Sequence, residues 1–234
     1  MTAPTTPESR LQTTAARLTT TPESTGPRTL RATLATFLAH RSPQLLLAGT
    51  TVAVVARIAI GAWSPWDLLV AAAWFAVWPV QEWLIHVLIL HFRPRTILGR
   101  RVDLFNARKH RLHHAAPNDL ALVFIPPRTV LAGLPLLAAA SFLLLPTPLA
   151  ATSVATFAAL ALHYEWAHTL AHVPYTPNLP YYRRICRAHM LHHHRSEKAW
   201  FGVSRTLADT LFGTEPDAAS IPPSDTVRTL GVSG

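Results

Sequence analysis

The sequence has 234 residues, of which 50% are hydrophobic and only 14% are charged. About a quarter of the residues in a soluble domain are charged, so this composition argues against a soluble protein. The net charge is +9, but the arginines flank apolar runs as membrane topology signals do, which argues against nucleic-acid binding. The single cysteine, Cys186, excludes an internal disulfide framework.

The N-terminal part of the chain divides into two segments of different composition. Residues 1–27 are rich in Thr, Pro and Ser and contain TTPES twice, which predicts a disordered tail. Residues 28–42 combine helical apolar spacing with basic residues, which predicts an interfacial helix.

Apolar runs then dominate the sequence. The first spans residues 44–60 and contains Arg57, and the second spans residues 68–90. No charged residue occurs between Arg128 and His163, an interval too long for one membrane crossing of about 20 residues. Pro146 and Pro148 divide that interval into two short spans. Because the chain is too small to bury four apolar helices, the sequence predicts an all-α integral membrane fold with about four transmembrane helices rather than a soluble bundle.

The distribution of arginines predicts the topology. The linker near Asp67 contains no Lys or Arg, whereas residues 93–128 and the segment after His172 are rich in arginine. The positive-inside rule therefore places these two segments on the cytoplasmic side together with the N-terminus. We expect a multi-pass protein of a bacterial cytoplasmic membrane.

Histidine is the residue type that carries the functional signal. Of thirteen histidines, only His40 lies outside four clusters, which are His86/His91, His110/His113/His114, His163/His168/His172 and His189/His192/His193/His194. Two clusters repeat H-x2-HH, and His168 and His172 are four residues apart, so each set shares one helical face. His86 and His91 are five residues apart, about 140° on an ideal helix. That pair either straddles a site, serves different metals or lies on a distorted helix end.

The predicted topology brings all four clusters to one face of the bilayer. Ten imidazoles are too many for one ion and suit two, and nitrogen ligands fit Fe, Zn, Cu or Ni. Four nearby residues are candidates for orienting the ligands, although a salt bridge with an arginine is an equal alternative for the acidic ones: Glu82, Asp119, Tyr164 and Glu165. A transporter would place ionisable residues near the membrane midplane, whereas these histidines gather at one end.

The ordered motifs resemble the fatty acid hydroxylase/sterol desaturase superfamily, and their details are similar to its fatty acid 2-hydroxylase branch. The resemblance covers roughly residues 65–215. It rests on HVLILH at 86–91, HRLHH at 110–114, ALVFIPP at 121–127, HYEWAHTLAH at 163–172, AHMLHHH at 188–194, FGVS at 201–204 and LFGT at 211–214.

The resemblance implies a transmembrane base with a cytoplasmic helical cap that holds two iron ions. We expect a hydroxylase domain at residues 28–215, followed by a C-terminal tail at 216–234. His163 and His194 are extra to the family pattern. The implied metal ligands are His86, His91, His110, His113, His114, His168, His172, His189, His192 and His193.

The function implied by the resemblance is O2-dependent hydroxylation of a lipid acyl chain, at the 2-position of a fatty acid or sphingolipid acyl group. Zinc is expected to replace iron in overexpressed protein. Because the N-terminal segment leaves no room for a fused haem domain, electrons are expected from a separate ferredoxin or small cytochrome with its reductase. Three alternatives stay open: a carotenoid hydroxylase, which shares the approach YYRRICRAHMLHH at 181–193, a sterol oxidase or desaturase, and a non-catalytic membrane metal-binding protein.

Overall fold

The structure is a computed structural model that describes residues 26–232. The predicted disordered segment lies outside the described residues except for its last two positions. The elements, in chain order, are α1 Leu30–Ala39, α2 Arg41–Ile60, α3 Pro65–Leu84, a π-helix Ile85–Leu90, β1 Arg95–Ile97, β2 Arg100–Val102, α4 Phe105–Ala115, α5 Leu120–Val123, α6 Pro127–Leu144, α7 Thr147–His172, α8 Pro180–His194, α9 Leu207–Phe212 and a 3-10 turn Ala218–Ser220.

Among residues 26–232, three helical stretches are long and apolar enough to cross a membrane: Arg41–Ile60, Pro65–Leu90 and Leu120–Leu144. The fourth predicted span corresponds to α7, which falls outside this class because its composition is too polar, notably in its second half. The predicted break between the last two spans occurs at Leu145 and Pro146, between α6 and α7. Helices α2, α3 and α6 all pack against α7, so α7 is the central helix of the bundle.

An apolar core lies in the middle of the bundle. A buried cluster forms where α2, α3, α6 and α7 meet, and it consists of Leu46, Trp78, Val130, Leu160 and Ala161. Trp74 and Trp78 both pack edge-on against Phe157 of α7, with ring centroids 5.1 and 5.4 Å apart. This packing fixes α3, which leads into the first histidines, against α7, which carries the third cluster.

A buried ion pair closes the end of the bundle that is remote from the histidines. Arg57 Nη2 lies 2.7 Å from Asp67 Oδ1, and Arg57 Nε donates to Thr152 Oγ1 at 2.7 Å. The Arg57 guanidinium also lies over the ring of Trp63. A buried charge requires such a partner, so Arg57 has a structural role that fixes the order of α2, α3 and α7.

A short hairpin departs from the predicted all-α class. Strands β1 and β2 pair antiparallel, with Arg95 opposite Val102. The turn between them consists of Leu98 and Gly99, with φ of 49° and 74°. Positive φ at both positions is typical of a two-residue hairpin turn, and Gly99 adopts it without steric cost. The pairing lies within the arginine-rich segment, which the apolar pattern marked only as a loop.

Helix α1 lies against the cap end of α7. Its N-cap residue Thr29 accepts a hydrogen bond from the backbone N–H of Ala32 at 3.2 Å. Phe37 is buried and meets Trp166 edge-on at 5.3 Å. On the other side of α1, three leucines four residues apart are exposed: Leu30, Leu34 and Leu38. An exposed apolar stripe of this kind fits the predicted interfacial helix.

Candidate metal centre

The ten histidines with ligand spacing come together in two groups of five. The first histidine group consists of His86, His91, His110, His114 and His192. The second histidine group consists of His113, His168, His172, His189 and His193. Within each group, one ring nitrogen from each histidine lies within 4.8 Å of those of the other four. Every ring is buried except that of His91, which is half-buried. Each group is therefore able to hold one metal ion.

The two H-x2-HH helices lie between the groups and contribute to both. In α4, His110 and His114 belong to the first group and His113 to the second. In α8 the assignment is reversed: His189 and His193 belong to the second group and His192 to the first. Residues four apart lie close together on a helical face, while the residue three positions along is displaced to one side. One motif thus serves two sites.

The π-helix explains how His86 and His91 join the same group. The backbone N–H of His91 donates to the carbonyl of His86 at 3.0 Å, a bond across five residues instead of four. This wider turn brings the two rings to a centroid separation of 4.9 Å. Of the three alternatives that the spacing leaves open, the structure has the distorted helix end.

The spacing of the imidazole nitrogens matches that of neighbouring ligands around one ion. In the first group, Nε2 of His110 lies 3.0 Å from Nε2 of His86 and 3.2 Å from Nε2 of His114. In the second group, Nε2 of His189 lies 2.9 Å from that of His172 and 3.0 Å from that of His193. Two nitrogens that each bind a metal at about 2.1 Å and at right angles lie about 3.0 Å apart. The donor set therefore fits two ions.

Backbone carbonyls orient the rings of the first group. Nδ1 of His86 meets the carbonyl of Phe201 at 2.5 Å, Nδ1 of His192 meets that of Ala199 at 2.7 Å, and Nδ1 of His114 meets that of Val227 at 2.9 Å. A carbonyl can only accept, so Nδ1 carries the proton and Nε2 is left as the donor to a metal. In the second group, Nδ1 of His113, His189 and His193 is buried and has no hydrogen-bond partner among the described residues.

Burial keeps these imidazoles in the neutral form that binds metals. In the cap helices α4 and α8, burial lowers the pKa of His110, His113, His189, His192 and His193 well below the usual value of 6.5, and neighbouring imidazoles add to the effect. Burial likewise lowers the pKa of His114 to about 3. All six rings are therefore neutral near pH 7.

Glu82 does not bond to His86 as its position one turn earlier predicted. Its carboxylate accepts hydrogen bonds from the backbone N–H of Val203 and, at 2.7 Å, from that of Ser204. The hydroxyl of Ser204 donates at 2.5 Å and the indole N–H of Trp78 at 3.2 Å. Glu82 thus fixes the segment 201–204, which supplies the carbonyl that orients His86.

Asp209 is a positioning residue that the sequence reasoning missed. Its buried carboxylate accepts the backbone N–H groups of Phe201 at 2.8 Å and Gly202 at 2.7 Å. A Cβ at Gly202 would overlap the carbonyl of Arg205, so the turn requires glycine there. The FGVS motif indicated that the segment 201–204 is important. Asp209, the carboxylate that binds this segment, lies outside every histidine cluster and was therefore not a candidate.

The other three candidate orienting residues do not reach a metal-facing nitrogen. Glu165 is buried and accepts hydrogen bonds from Ser42 and from the backbone N–H of Ile125. Asp119 is exposed and caps α5 through the backbone N–H of Ala121 at 3.0 Å. Tyr164 lies closer, with its ring 5.9 Å from that of His168.

Three histidines lie outside both groups. His163 is 6.1 Å from the rings of Tyr181 and Tyr182. His194 is exposed, and its Nδ1 accepts a hydrogen bond from Arg228 Nη2 at 3.2 Å. His40 stacks on Phe124 at 4.0 Å, and its Nδ1 bonds the carbonyl of Thr36.

The segment after residue 215, which the sequence analysis assigns to a C-terminal tail, packs on the cap in its described part. Leu230 is only 2% exposed, and the carbonyl of Val227 orients His114. Arg228 also donates to the backbone carbonyl of His114 at 3.2 Å. Because these contacts use backbone carbonyls and distant partners, the composition of the segment gave no sign of them.

An apolar cavity of about 320 Å³ leads to both groups. Its inner end is lined by His110 of the first group and by His113 and His168 of the second. Most of the remaining wall is aliphatic or aromatic, and Glu82 and Tyr164 also line it. Such a cavity suits an extended hydrocarbon chain whose end or bend reaches the histidines.

Comparison with curated proteins finds lipid hydroxylases. The dihydroceramide fatty acyl 2-hydroxylase FAH1 of Arabidopsis thaliana is 29% identical over 149 residues, which cover 60% of this chain and 57% of that protein. The fatty acid 2-hydroxylase of Rattus norvegicus is 25% identical over 138 residues, which cover 59% of this chain and 37% of that protein. The chain thus spans about three fifths or less of the length of these relatives.

A solved structure and a family model agree with this similarity. The structure described as "Full length scs7p (only hydroxylase domain visible)" has a TM-score of 0.63 and 23% identity, covering 77% of this chain and 68% of that chain, and so shows a shared fold. The model described as "Fatty acid hydroxylase" matches residues 71–214, more than half of the chain, and the match includes all ten grouped histidines. As the order of the histidine motifs predicts, this chain belongs to the fatty acid hydroxylase family.

Proposed function

We propose that this chain is a membrane-bound di-iron oxygenase that hydroxylates a lipid acyl chain, at the 2-position of a fatty acid or sphingolipid acyl group. The observation that carries the proposal is the opening of one apolar cavity onto two groups of five imidazoles. The similarity to plant and rat acyl 2-hydroxylases supports the same class of reaction.

The proposed metal ligands are the two histidine groups. Imidazole suits iron and also zinc, so purified protein is expected to bind two ions per chain, with zinc replacing iron when iron is scarce. When bound, two irons would supply the activation of O2 that an unactivated C–H bond requires. One oxygen atom would enter the C–H bond and the other would leave as water, a reduction that takes two electrons from the donor and two protons from the solvent.

The protein itself positions the chain and excludes water. The walls formed by Trp78, Val130 and Phe157 offer the acyl chain apolar contact along the cavity. Fixing the chain in one register would present C2 to the site and keep away the many methylenes beyond it, which differ little from one another in reactivity. Tyr164 lines the cavity beside His168 and has no hydrogen-bond partner among the described residues, so its hydroxyl is available to the substrate.

The electron donor in this proposal is a separate ferredoxin or small cytochrome with its reductase. Four arginines of the cap offer a basic docking surface: Arg183, Arg184, Arg187 and Arg195. Arg184 pairs with Glu215 at 3.0 Å, and Arg183 and Arg195 bond backbone carbonyls, so their guanidinium groups are held in place. Complementary charge on an acidic donor would steer its approach. The cytoplasmic position of the cap is part of the proposal, and the plant and rat relatives give no support for a bacterial membrane.

Lipid mass spectrometry tests this function. Cells with the protein are compared with cells that carry a variant in which His168 and His172 are both alanine. We expect acyl-containing lipids with one added oxygen atom only in the first, with fragmentation placing it at the 2-position. Oxygenated carotenoids or sterols without hydroxylated acyl chains would instead identify one of the alternative oxygenases.

A further inference from the structure

A second cavity of about 430 Å³ adjoins the apolar cavity and is basic. Its wall includes Arg41, Lys109 and Arg128, with His40 beside them. Within the described part of the chain, its lining contains no Asp or Glu. Three cationic residues, one each from α2, α4 and α6, therefore line one space.

The two cavities share part of their walls. Lys109 and the segment 122–126, apart from Val123, line both of them. Lys109 directly precedes His110, which lies at the inner end of the apolar cavity. The basic cavity is thus next to the histidine groups.

The position of the basic cavity corresponds to the level of lipid head groups. Arg41 is the first residue of the membrane helix Arg41–Ile60, and Arg128 is the second residue of α6, so both mark the cap-side ends of apolar helices. Basic residues at such ends face the head-group layer. A lipid whose acyl chain occupies the apolar cavity would have its head group here.

The three cations have no acidic partner among residues 26–232. No ion pair between described residues involves Arg41, Lys109 or Arg128. Arg128 lies over the ring of Phe105, which orients its guanidinium but leaves its charge uncompensated. Two carboxylates contact the wall from outside the cavity, Glu165 through Ser42 and Ile125, and Asp119 through the backbone of Ala121.

We propose that the basic cavity binds the anionic head group, a carboxylate or a phosphate, of the acyl lipid whose chain enters the apolar cavity. This inference rests on the proposed function, because hydroxylation next to the carboxyl carbon requires the head group to lie beside the histidine groups. The preferred substrate is then a free fatty acid or a phosphate-bearing acyl lipid rather than a neutral ceramide.

Binding of three matched ligands to the metal-loaded protein in non-ionic detergent tests the inference. The probes are hexadecanoate, hexadecyl phosphate and hexadecanol, which share one chain and differ in head group. We expect one or both anionic probes to bind on the order of tenfold more tightly than the alcohol, as one charge-assisted contact would provide. The anion that binds more tightly identifies the source of the head group.

Substitution of the cations supplies the control. Arg41→Gln and Arg128→Gln should each remove most of the preference for the anion, with metal content unchanged, while Arg41→Lys and Arg128→Lys should retain it. Arg100→Gln, at an exposed hairpin position outside both cavities, should have no effect. Equal binding of all three probes would overturn the inference. A preference for the anions that only Arg100→Gln reduces would also overturn it, because it would indicate general attraction to a basic surface.

The same proteins separate this inference from the proposed function. If cells contain 2-hydroxylated neutral ceramides and the glutamine variants leave their amount unchanged, the head-group inference fails while the function stands. If no acyl lipid gains oxygen although the anionic probes bind through Arg41 and Arg128, the function fails and the basic cavity remains an anion site.

Discussion

Within each H-x2-HH motif, histidines four residues apart serve one group and the histidine between them serves the other. Substitution of a single histidine should therefore affect one of the two groups directly. His172 contributes only to the second group and lies at the end of α7, where it is buried against His189 at 2.9 Å. His163 lies on the same helix but outside both groups, which makes it a matched control.

We predict that His172→Ala lowers the metal content from two ions to one or fewer per chain and abolishes hydroxylated product. The loss should exceed the roughly 10–100-fold reduction that follows removal of a hydrogen bond to a ligand. Metal analysis and lipid mass spectrometry of one preparation give both quantities. His163→Ala should retain two ions, and two ions in His172→Ala would contradict the assignment of the second group.

The histidine pKa values predict how acid affects the metal-free protein. Burial lowers the folded-state pKa of six cap histidines below the unfolded value of 6.5, so the unfolded chain binds more protons as the pH falls below that value. The free energy of unfolding should therefore be highest above pH 6.5 and decrease below it. Thermal unfolding of metal-free protein between pH 8 and pH 5 measures this, and a constant midpoint would contradict it.

At the level of single residues, the ten imidazoles that residue type and spacing single out are the ten that the structure brings together. The sequence could not reveal what orients them. The groups bonded to His86, His114 and His192 are backbone carbonyls, which every residue possesses. Glu82 was noticed beside His86, but its actual partners lie more than a hundred residues later in the chain.

At the level of structural elements, the segment 201–204 positions His86, and hydrogen bonds from two helices hold this segment in place. Glu82 of α3 binds one side of it and Asp209 of α9 the other, so the carbonyl of Phe201 is fixed from two directions. Its position determines how His86 faces the first group. The apolar pattern predicts the helices that carry these residues, but the π-helix was only one of three alternatives and the hairpin was not predicted.

We predict that Glu82→Ala lowers both the stability of the protein and the metal affinity of the first group. The substitution leaves buried N–H groups of Val203 and Ser204 without an acceptor, at a cost of about 1–3 kcal/mol each. Thermal unfolding and metal titration check the two effects. Asp119→Ala removes an exposed helix cap and should cost only about 1 kcal/mol without changing metal affinity. Equal metal affinity in both variants would refute the role given to Glu82.

For the molecule as a whole, the bundle has two unlike ends. The histidine groups lie at one end of α3 and α7, and the Arg57–Asp67 ion pair with Thr152 lies at the other. Helix α7 contributes to both ends and is more buried than the three apolar helices around it. Hydropathy predicts about four spans, of which three are long and apolar enough to cross a membrane in the described part of the chain, and packing shows that the fourth, α7, is the central helix.

The arrangement predicts opposite accessibility of the two ends across the membrane. In a Cys186→Ala background, Trp66→Cys and Arg187→Cys place a thiol at exposed positions of opposite ends. An impermeant thiol reagent added to intact cells should label the first and spare the second, because the positive-inside rule places the arginine-rich cap in the cytoplasm. Labelling of both from one side would contradict a membrane-spanning bundle.

The sharing of α4 and α8 between the two groups has a consequence for how the protein acquires its metals. An ion bound by the first group holds both helices, and the same helices then present the ligands of the second group already ordered. The conformational entropy of α4 and α8 is therefore lost when the first ion binds and not again when the second ion binds. The second ion should bind more tightly than the first. During gradual titration of the metal-free protein, native mass spectrometry should detect mainly chains with no ion and chains with two. An abundant one-ion species throughout the titration would mean that the sites fill independently. Such loading would spare the proposed di-iron enzyme a half-loaded state, in which one redox-active iron would meet oxygen alone.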